Sequence, residues 1–470
     1  MSDHVRLPVI DERGKGSLRS DGSRVKIVPA DVKGRFATAR KLMFALLIGI
    51  YVALPFVRIG GHPAVLLDVV HRQFFLFGQT FNAQDTWLVF FLLSGVGFAL
   101  VVAAAIVGRV WCGWACPQTV FLEGVFRRVE RLIEGPRNTH LHRDAGPNNF
   151  AKIWRKVLKH SIFMLLAIVL AHVLLAYFVS LPGVLTFVKG PPQDHVEAFI
   201  WTTAITLVLY FDFAWFREQL CLIICPYGRL QAVLSDTNTI TIGYDAKRGE
   251  PRGKATDPNA GACVDCNRCV VVCPTGIDIR KGQQLDCIGC TACVDACDEV
   301  MDRLERPRGL VRHDSLNGLM GKAKRLLRPR LYLYAGLLVA GLIAATIGIA
   351  NHEPFEAHLL RMGGSPYLLD TSTRGIARVQ NVFQIHLVNK QNERRTFTLR
   401  PVSPTGVAMD YTVGGLSVTL DSLAERQLPV SVAVPEGSVR SGMLVRIEVT
   451  MEGEAPETIH VEAPFLGPPR

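Results

Sequence analysis

Five apolar runs constrain this chain more than any other feature. They cover residues 42–57, 87–107, 162–188, 199–216 and 331–350. A bilayer core takes roughly 20 consecutive apolar residues in a helix. The first run is short, and the third is long and interrupted by Pro182. A single such run can be a buried helix of a soluble protein, but five in one chain predict a membrane protein with five helical spans. The hydrophobic share of the composition, 49%, agrees.

Basic residues between the runs predict the orientation, because Lys and Arg stay on the cytoplasmic side. Residues 1–41 carry ten Lys or Arg, residues 60–86 carry one, Arg72, and residues 108–157 carry nine. Residues 190–197 carry none, with Lys189 at their edge, and "GKAKRLLRPR" before the fifth run carries five. The alternation places the N-terminus, residues 108–157 and residues 217–330 in the cytoplasm of a bacterium. The chain after residue 350 then lies in the periplasm, and the spans lie in the inner membrane. The net charge of +11 is read as loops facing anionic lipid, not as a nucleic-acid surface. No cleavable signal peptide is expected, since residues 1–41 are polar and lack an apolar core.

Eight of the twelve cysteines fall in "CVDCNRCVVVCPTGIDIRKGQQLDCIGCTACVDACD". The segment reads Cys-x2-Cys-x2-Cys-x3-Cys-Pro and, after twelve more residues, Cys-x2-Cys-x2-Cys-x3-Cys. This is the spacing of a bacterial two-cluster ferredoxin, in which the fourth cysteine of each run ligates the other cluster. Cys263, Cys266, Cys269 and Cys297 are therefore expected to hold one [4Fe–4S] cluster, and Cys287, Cys290, Cys293 and Cys273 the second. Structural zinc prefers separated cysteine pairs, often with His, and no His lies between Cys263 and Cys297. Cysteines clustered in a reducing compartment point to metal, not to disulfides. Pro274 follows Cys273, whereas Asp298 stands after Cys297 where a second proline is usual, so a looser hold is expected there. Gly276 and Gly289 permit tight turns near the sulfurs. Residues 249–261, rich in Gly and Pro, read as a linker.

The other four cysteines form two copies of Cys-x-x-x-Cys-Pro, in "VWCGWACPQT" and "QLCLIICPYG", where the second and fourth runs end. On one helix, residues i and i+4 share a face, so Cys112 would stand beside Cys116, and Cys221 beside Cys225. Neighbouring helices would bring four sulfurs together. Free cysteines also pack as small apolar residues. Two copies on one side of the membrane, beside an electron-carrying segment, favour a functional role: a soft-metal site suited to Cu(I), or a dithiol–disulfide couple. Both occupants stay open. These four are the candidate catalytic cysteines.

Weaker candidates surround them. Asp212, inside the fourth run, is either functional by virtue of its depth or hydrated near the cytoplasmic end. Glu123 and Glu218 are placed to tune the cysteine pairs. His172 reads as a packing residue, and His140 and His142 as a solvated pair. After residue 350, short alternating runs such as "NVFQIHLVNK" and "MLVRIEVTM" predict about seven antiparallel strands in an immunoglobulin-sized sandwich. It holds no cysteine and reads as a docking module.

The predicted organisation is a basic segment over 1–41, a four-helix membrane region over 42–234 and a ferredoxin-like domain over 235–310. A fifth span over 331–350 and an immunoglobulin-like domain over 355–470 follow. The two Cys-x-x-x-Cys-Pro motifs, continued as Gln118-Thr119 and Tyr227-Gly228-Arg229, the two-cluster segment and "NVFQIHLVNK" together resemble the RdxA/FixG/CcoG proteins. The resemblance covers nearly the whole chain. It implies an oxidoreductase that reduces Cu(II) to Cu(I) as an accessory in building the cbb-type haem–copper oxidase. It also implies a copper-transporting P-type ATPase and oxidase assembly factors as partners, beside membrane lipid. A homodimer stays open, and no nucleic-acid partner is expected. A general membrane electron conduit and a redox-signalling component are the alternative readings. No G-x-G-x-x-G follows a strand, so flavin or nicotinamide binding has no support.

Overall fold

The computed structural model describes residues 26–468 except 60, 71–72, 82–85, 285, 326, 352, 371–376, 404–408, 441 and 454–455. Residues 1–25 of the expected basic segment, and Arg72, lie outside the described residues. Five helices are long and apolar enough to cross a membrane: Arg35–Phe56, Trp87–Val107, Phe150–Lys189, Pro192–Phe216 and Pro329–Ala350. All five expected runs fall inside them, save Val57 at the end of the first. The third helix is longer than its apolar run, with 40 residues, and starts on an Asn149 cap whose side chain accepts from Lys152 N. It kinks at Ser180, two residues before Pro182, because proline has no N–H to donate and crowds the preceding turn.

The chain folds as two units. The first contains the helices and the cysteine-rich segment. There, strands Thr241–Tyr244 and Val311–Asp314 pair antiparallel and close a module holding helices Arg268–Val271 and Ala292–Arg303. Its core joins Ile242, Ile279, Met301 and Leu310 to the buried cysteines. The expected linker is instead folded onto the module: Ala262 N donates to Arg248 O, Gly261 N to Pro251 O and Cys263 N to Gly249 O. Helix Ala292–Arg303 runs on through Cys297, and Asp298 Oδ1 accepts from Gly309 N at 3.0 Å, pinning the chain that returns to the module.

Ordered chain before the first span braces this unit. Ala30 N donates to Val271 O, and Arg137 and Arg268 reach the carbonyls of Val28 and Asp31. The first helix is capped from the module: Asp295 accepts from Phe36 N at 3.3 Å and from Ala37 N at 2.7 Å. A carboxylate at a helix N-terminus satisfies orphan donors and favours the helix dipole.

The second unit is a sandwich of two antiparallel sheets. One has the order Asp410–Val413, Glu425–Pro435, Arg378–Asn389, Phe355–Arg361, with Leu368–Asp370 also pairing to Arg378–Asn389. The other is Ser417–Leu420, Arg395–Val402, Leu444–Met451, Glu457–Pro464. Period-2 alternation turns Val379, Phe383, Ile385 and Leu387 inward, where they meet Val430 and Ile447. The fully buried Asn381 is satisfied by Arg361 and by both backbone groups of Leu466. The same unit includes a three-stranded meander, Val65–Asp68, Gln73–Leu76 and Gln79–Phe81, that the charge count had treated as a plain loop. Phe77 and Gly78, both at positive φ, make its tight turn.

Candidate functional site

Two hollows in the module are lined by cysteines. One is bordered by Cys263, Cys266, Cys269 and Cys297. The other is bordered by Cys273, Cys287, Cys290 and Cys293, with Cys269 reaching both. Each expected quartet thus surrounds one cavity. Every cysteine is a free thiol. A single zinc ion bound at about 2.3 Å needs sulfurs roughly 4 Å apart. Among the described residues, no three cysteine sulfurs lie within 4.8 Å of one another. Four thiols spread around an apolar hollow fit a cubane instead.

The membrane cysteines are arranged differently from the one-helix expectation. Cys112 lies in the short helix Val110–Trp114, but Cys116 is extended, and Cys221 lies in a wide turn, Leu220–Ile224, with Cys225 extended after it. The cause is the following proline, which disfavours helical backbone in the residue before it. Both motifs close in the same way: Cys116 N donates to Trp111 O and Cys225 N to Leu220 O, each spanning five residues. The four thiols nevertheless converge. Cys112 and Cys116 lie within electrostatic reach of Cys225, and Cys221 within reach of both Cys112 and Cys116.

The two motifs are interlocked by polar side chains. Gln118, two residues past Cys116, donates to Asp212 Oδ1 and to the Arg217 carbonyl, both at 3.1 Å. Arg109 donates to the Gly228 carbonyl, and the Cys112 thiol to Gln231 Oε1 at 3.2 Å. Asp212 is buried and accepts from Gln118, and so anchors one motif to the other.

This four-thiol site abuts the second cavity of the module. A Cβ added at Gly113 would lie 2.6 Å from Ile288 O and 2.8 Å from Cys290 N. Gly289, at φ 69°, returns the contact, with Arg109 O 3.0 Å from where its Cβ would be. Backbone packs on backbone, between a residue flanking Cys112 and the loop that joins Cys287 to Cys290. Arg40 Nε fixes the same point by donating to Gly113 O at 2.9 Å.

The comparisons with known proteins match this layout. RdxA of Cereibacter sphaeroides is 36% identical over 449 residues, covering 91% of this chain and 94% of that protein. The chain belongs to the RdxA/FixG family. Nitrogen fixation protein FixG of Rhizobium meliloti is 33% identical, covering 88% of this chain and 87% of that one, and RdxB of C. sphaeroides is 32% identical over 406 residues. The profile of a 4Fe-4S dicluster domain matches residues 216–316, that of a 4Fe-4S binding domain residues 88–136, and that of the immunoglobulin-like fold at the C-terminus of FixG residues 345–468. This member of the RdxA/FixG family is a membrane iron–sulfur electron-transfer protein.

A buried ion network in this family member was not legible in its sequence. Arg217, just after the fourth span, makes a bidentate pair with Glu130 at 3.0 and 2.9 Å. Lys159 bridges Glu130 and Glu134, and Arg127 joins Glu123, Glu218 and the Pro274 carbonyl. Glu123 and Glu218 thus hold Arg127. His140 is buried at 2% exposure against Glu134 at 2.7 Å, which overturns its reading as a solvated residue. Glu130, Glu134 and His140 offer three ligand atoms within 4.8 Å, but Lys159 and Arg217 already supply the positive charge a cation would bring. His172 Nδ1 donates to Ile168 O in its own helix, as a packing residue does.

Proposed function

We propose that the protein carries electrons from its ferredoxin-type module to the four membrane thiols and passes them to Cu(II). Cys263, Cys266, Cys269 and Cys297 hold one [4Fe–4S] cluster, and Cys273, Cys287, Cys290 and Cys293 the other. Bound clusters supply reversible one-electron transfer. The chain's residues do the rest. The module core buries both cavities, Asp295 and Arg127 tie the module to the helices, and Gly113 brings the four-thiol site against the Cys287–Cys290 loop. That backbone contact carries the proposal. Soft sulfur favours Cu(I) over Cu(II) and so makes reduction of the ion at these thiols more favourable. The Cu(I) product suits a copper-transporting ATPase and the assembly of a cbb-type oxidase, the partners that the resemblance implies.

Anaerobically purified protein, reduced with dithionite and freed of excess reductant, is expected to reduce Cu(II) in proportion to the electrons it holds. A Cu(I) chelator reads the product. Reduced protein that leaves Cu(II) untouched while its clusters stay reduced would favour the general conduit instead.

The module and the N-terminus lie on the cytoplasmic side in this proposal, and the sandwich in the periplasm. The alternation of basic segments supports this. So does the folding of residues 58–88 and 346–470 as one unit, since a five-span chain puts both on one face. A reporter fused near Gly309 is expected to be active only in the cytoplasm, and one fused after Arg470 only in the periplasm. Periplasmic activity at Gly309 would reverse the topology.

A further inference from the structure

The environment of the four membrane thiols contains more than soft ligands. Gln231 is fully buried; its Oε1 accepts from the Cys112 thiol, and its Nε2 has no partner but the Tyr227 hydroxyl beside it. Tyr227 lies beside Gln231 and within electrostatic reach of Cys112, Cys116 and Cys225, yet its buried hydroxyl makes no regular hydrogen bond either. Trp114, between Cys112 and Cys116, buries an Nε1–H that has no acceptor. Three buried donors with no acceptor but one another, around four thiols, cost free energy unless something accepts from them, since each has given up its hydration. What is missing is an acceptor of negative charge, not a further ligand. A lone Cu(I) ion would add a cation and leave all three donors as they are.

The spacing agrees. No three of the four sulfurs lie within 4.8 Å of one another, which is wide for one ion at about 2.3 Å from each sulfur. The module's two quartets share that spread. The 4Fe-4S binding profile over residues 88–136 points the same way. That stretch contains only Cys112 and Cys116, two ligands where a cubane needs four. The thiols that converge on them are Cys221 and Cys225.

We propose that Cys112, Cys116, Cys221 and Cys225 together hold a third iron–sulfur cluster of cubane type, with Trp114, Tyr227 and Gln231 as hydrogen-bond donors to its sulfides. It deepens the reading that these thiols are the last relay, and changes what the relay is: Cu(II) meets a cluster there, not a bare thiol pair. Trp114, Tyr227 and Gln231 are positioning residues whose N–H and O–H groups stabilise the reduced, more negative state. Removing a donor therefore lowers that site's reduction potential.

The test is iron and acid-labile sulfide per chain in full-length protein, purified and reconstituted anaerobically in detergent. Three cubanes give about twelve irons, and the module alone about eight. The wild type is expected near twelve, falling to near eight in C112S/C116S and in C221S/C225S. Gln231→Leu is expected to keep twelve and to shift one of three potentials downward in a redox titration followed by electron paramagnetic resonance. A wild type that holds about eight irons after reconstitution, or one copper with eight irons, overturns the proposal; this count needs no variant to fold. Because the count uses no copper substrate, a third cluster in a protein that leaves Cu(II) unreduced would refute the proposed acceptor and keep this site.

Discussion

Replacing Cys112 and Cys116 by Ser, or Cys221 and Cys225 by Ser, is expected to cut Cu(II) reduction by the pre-reduced protein by more than about tenfold. Serine keeps the side-chain size but removes the soft sulfur that binds iron or Cu(I). The loss should be the same for either pair, because Gln118, Arg109 and Gln231 join the motifs into one site. The module's own cysteines are untouched, so its visible absorbance should persist. Cys266→Ser is the contrasting variant. Cys266 is exposed and borders the first cavity, so its loss should damage a module cluster and lower reduction as a consequence. Pair variants that reduce Cu(II) at the wild-type rate would make the membrane thiols packing residues.

Glu130→Leu should destabilise the unit that holds the helices by about 3–5 kcal/mol, because it strands the buried Arg217 and leaves Lys159 with Glu134 alone. In a thermal melt this is a drop of about 10 °C, and a drop of less than about 2 °C would show that the network is dispensable. Burial alone would raise the Glu130 carboxyl, but Arg217, then Lys159 and Lys26, outweigh it and hold it well below the usual carboxylate range. For Glu134, burial is likewise outweighed by His140 and Lys159, and its pKa falls to about 2. Because both folded-state values are depressed, their stabilisation is complete above the ordinary carboxylate range. It is lost as pH falls from there toward about 2.

Local chemistry was legible in the sequence, and long-range pairing was not. The grouping of eight cysteines around two cavities follows from a fixed spacing, so the segment from Cys263 to Cys297 could be read directly. The spans follow from the thickness of a bilayer. By contrast, Glu130 and Arg217 are ordinary charges 87 residues apart, and nothing in their neighbourhood marks them as partners. The contact of Gly113 with Cys290 is likewise invisible until the backbone is folded. Two signals were present and underused. Proline after each second cysteine disfavours helical backbone at that cysteine, against the one-helix geometry. The Phe77-Gly78 turn between alternating runs marks the meander.

The backbone contact between Gly113 and the Cys287–Cys290 loop has a kinetic consequence. Tethered carrier domains swing between donor and acceptor, and their turnover slows in viscous solvent. Here the gap would not admit even one methyl group, and Asp295 and Arg40 close the joint from either side. The module is a fixed segment of wire, and its internal transfer rate should not respond to glycerol or sucrose. Only the docking of an outside donor and the arrival of the acceptor remain diffusive.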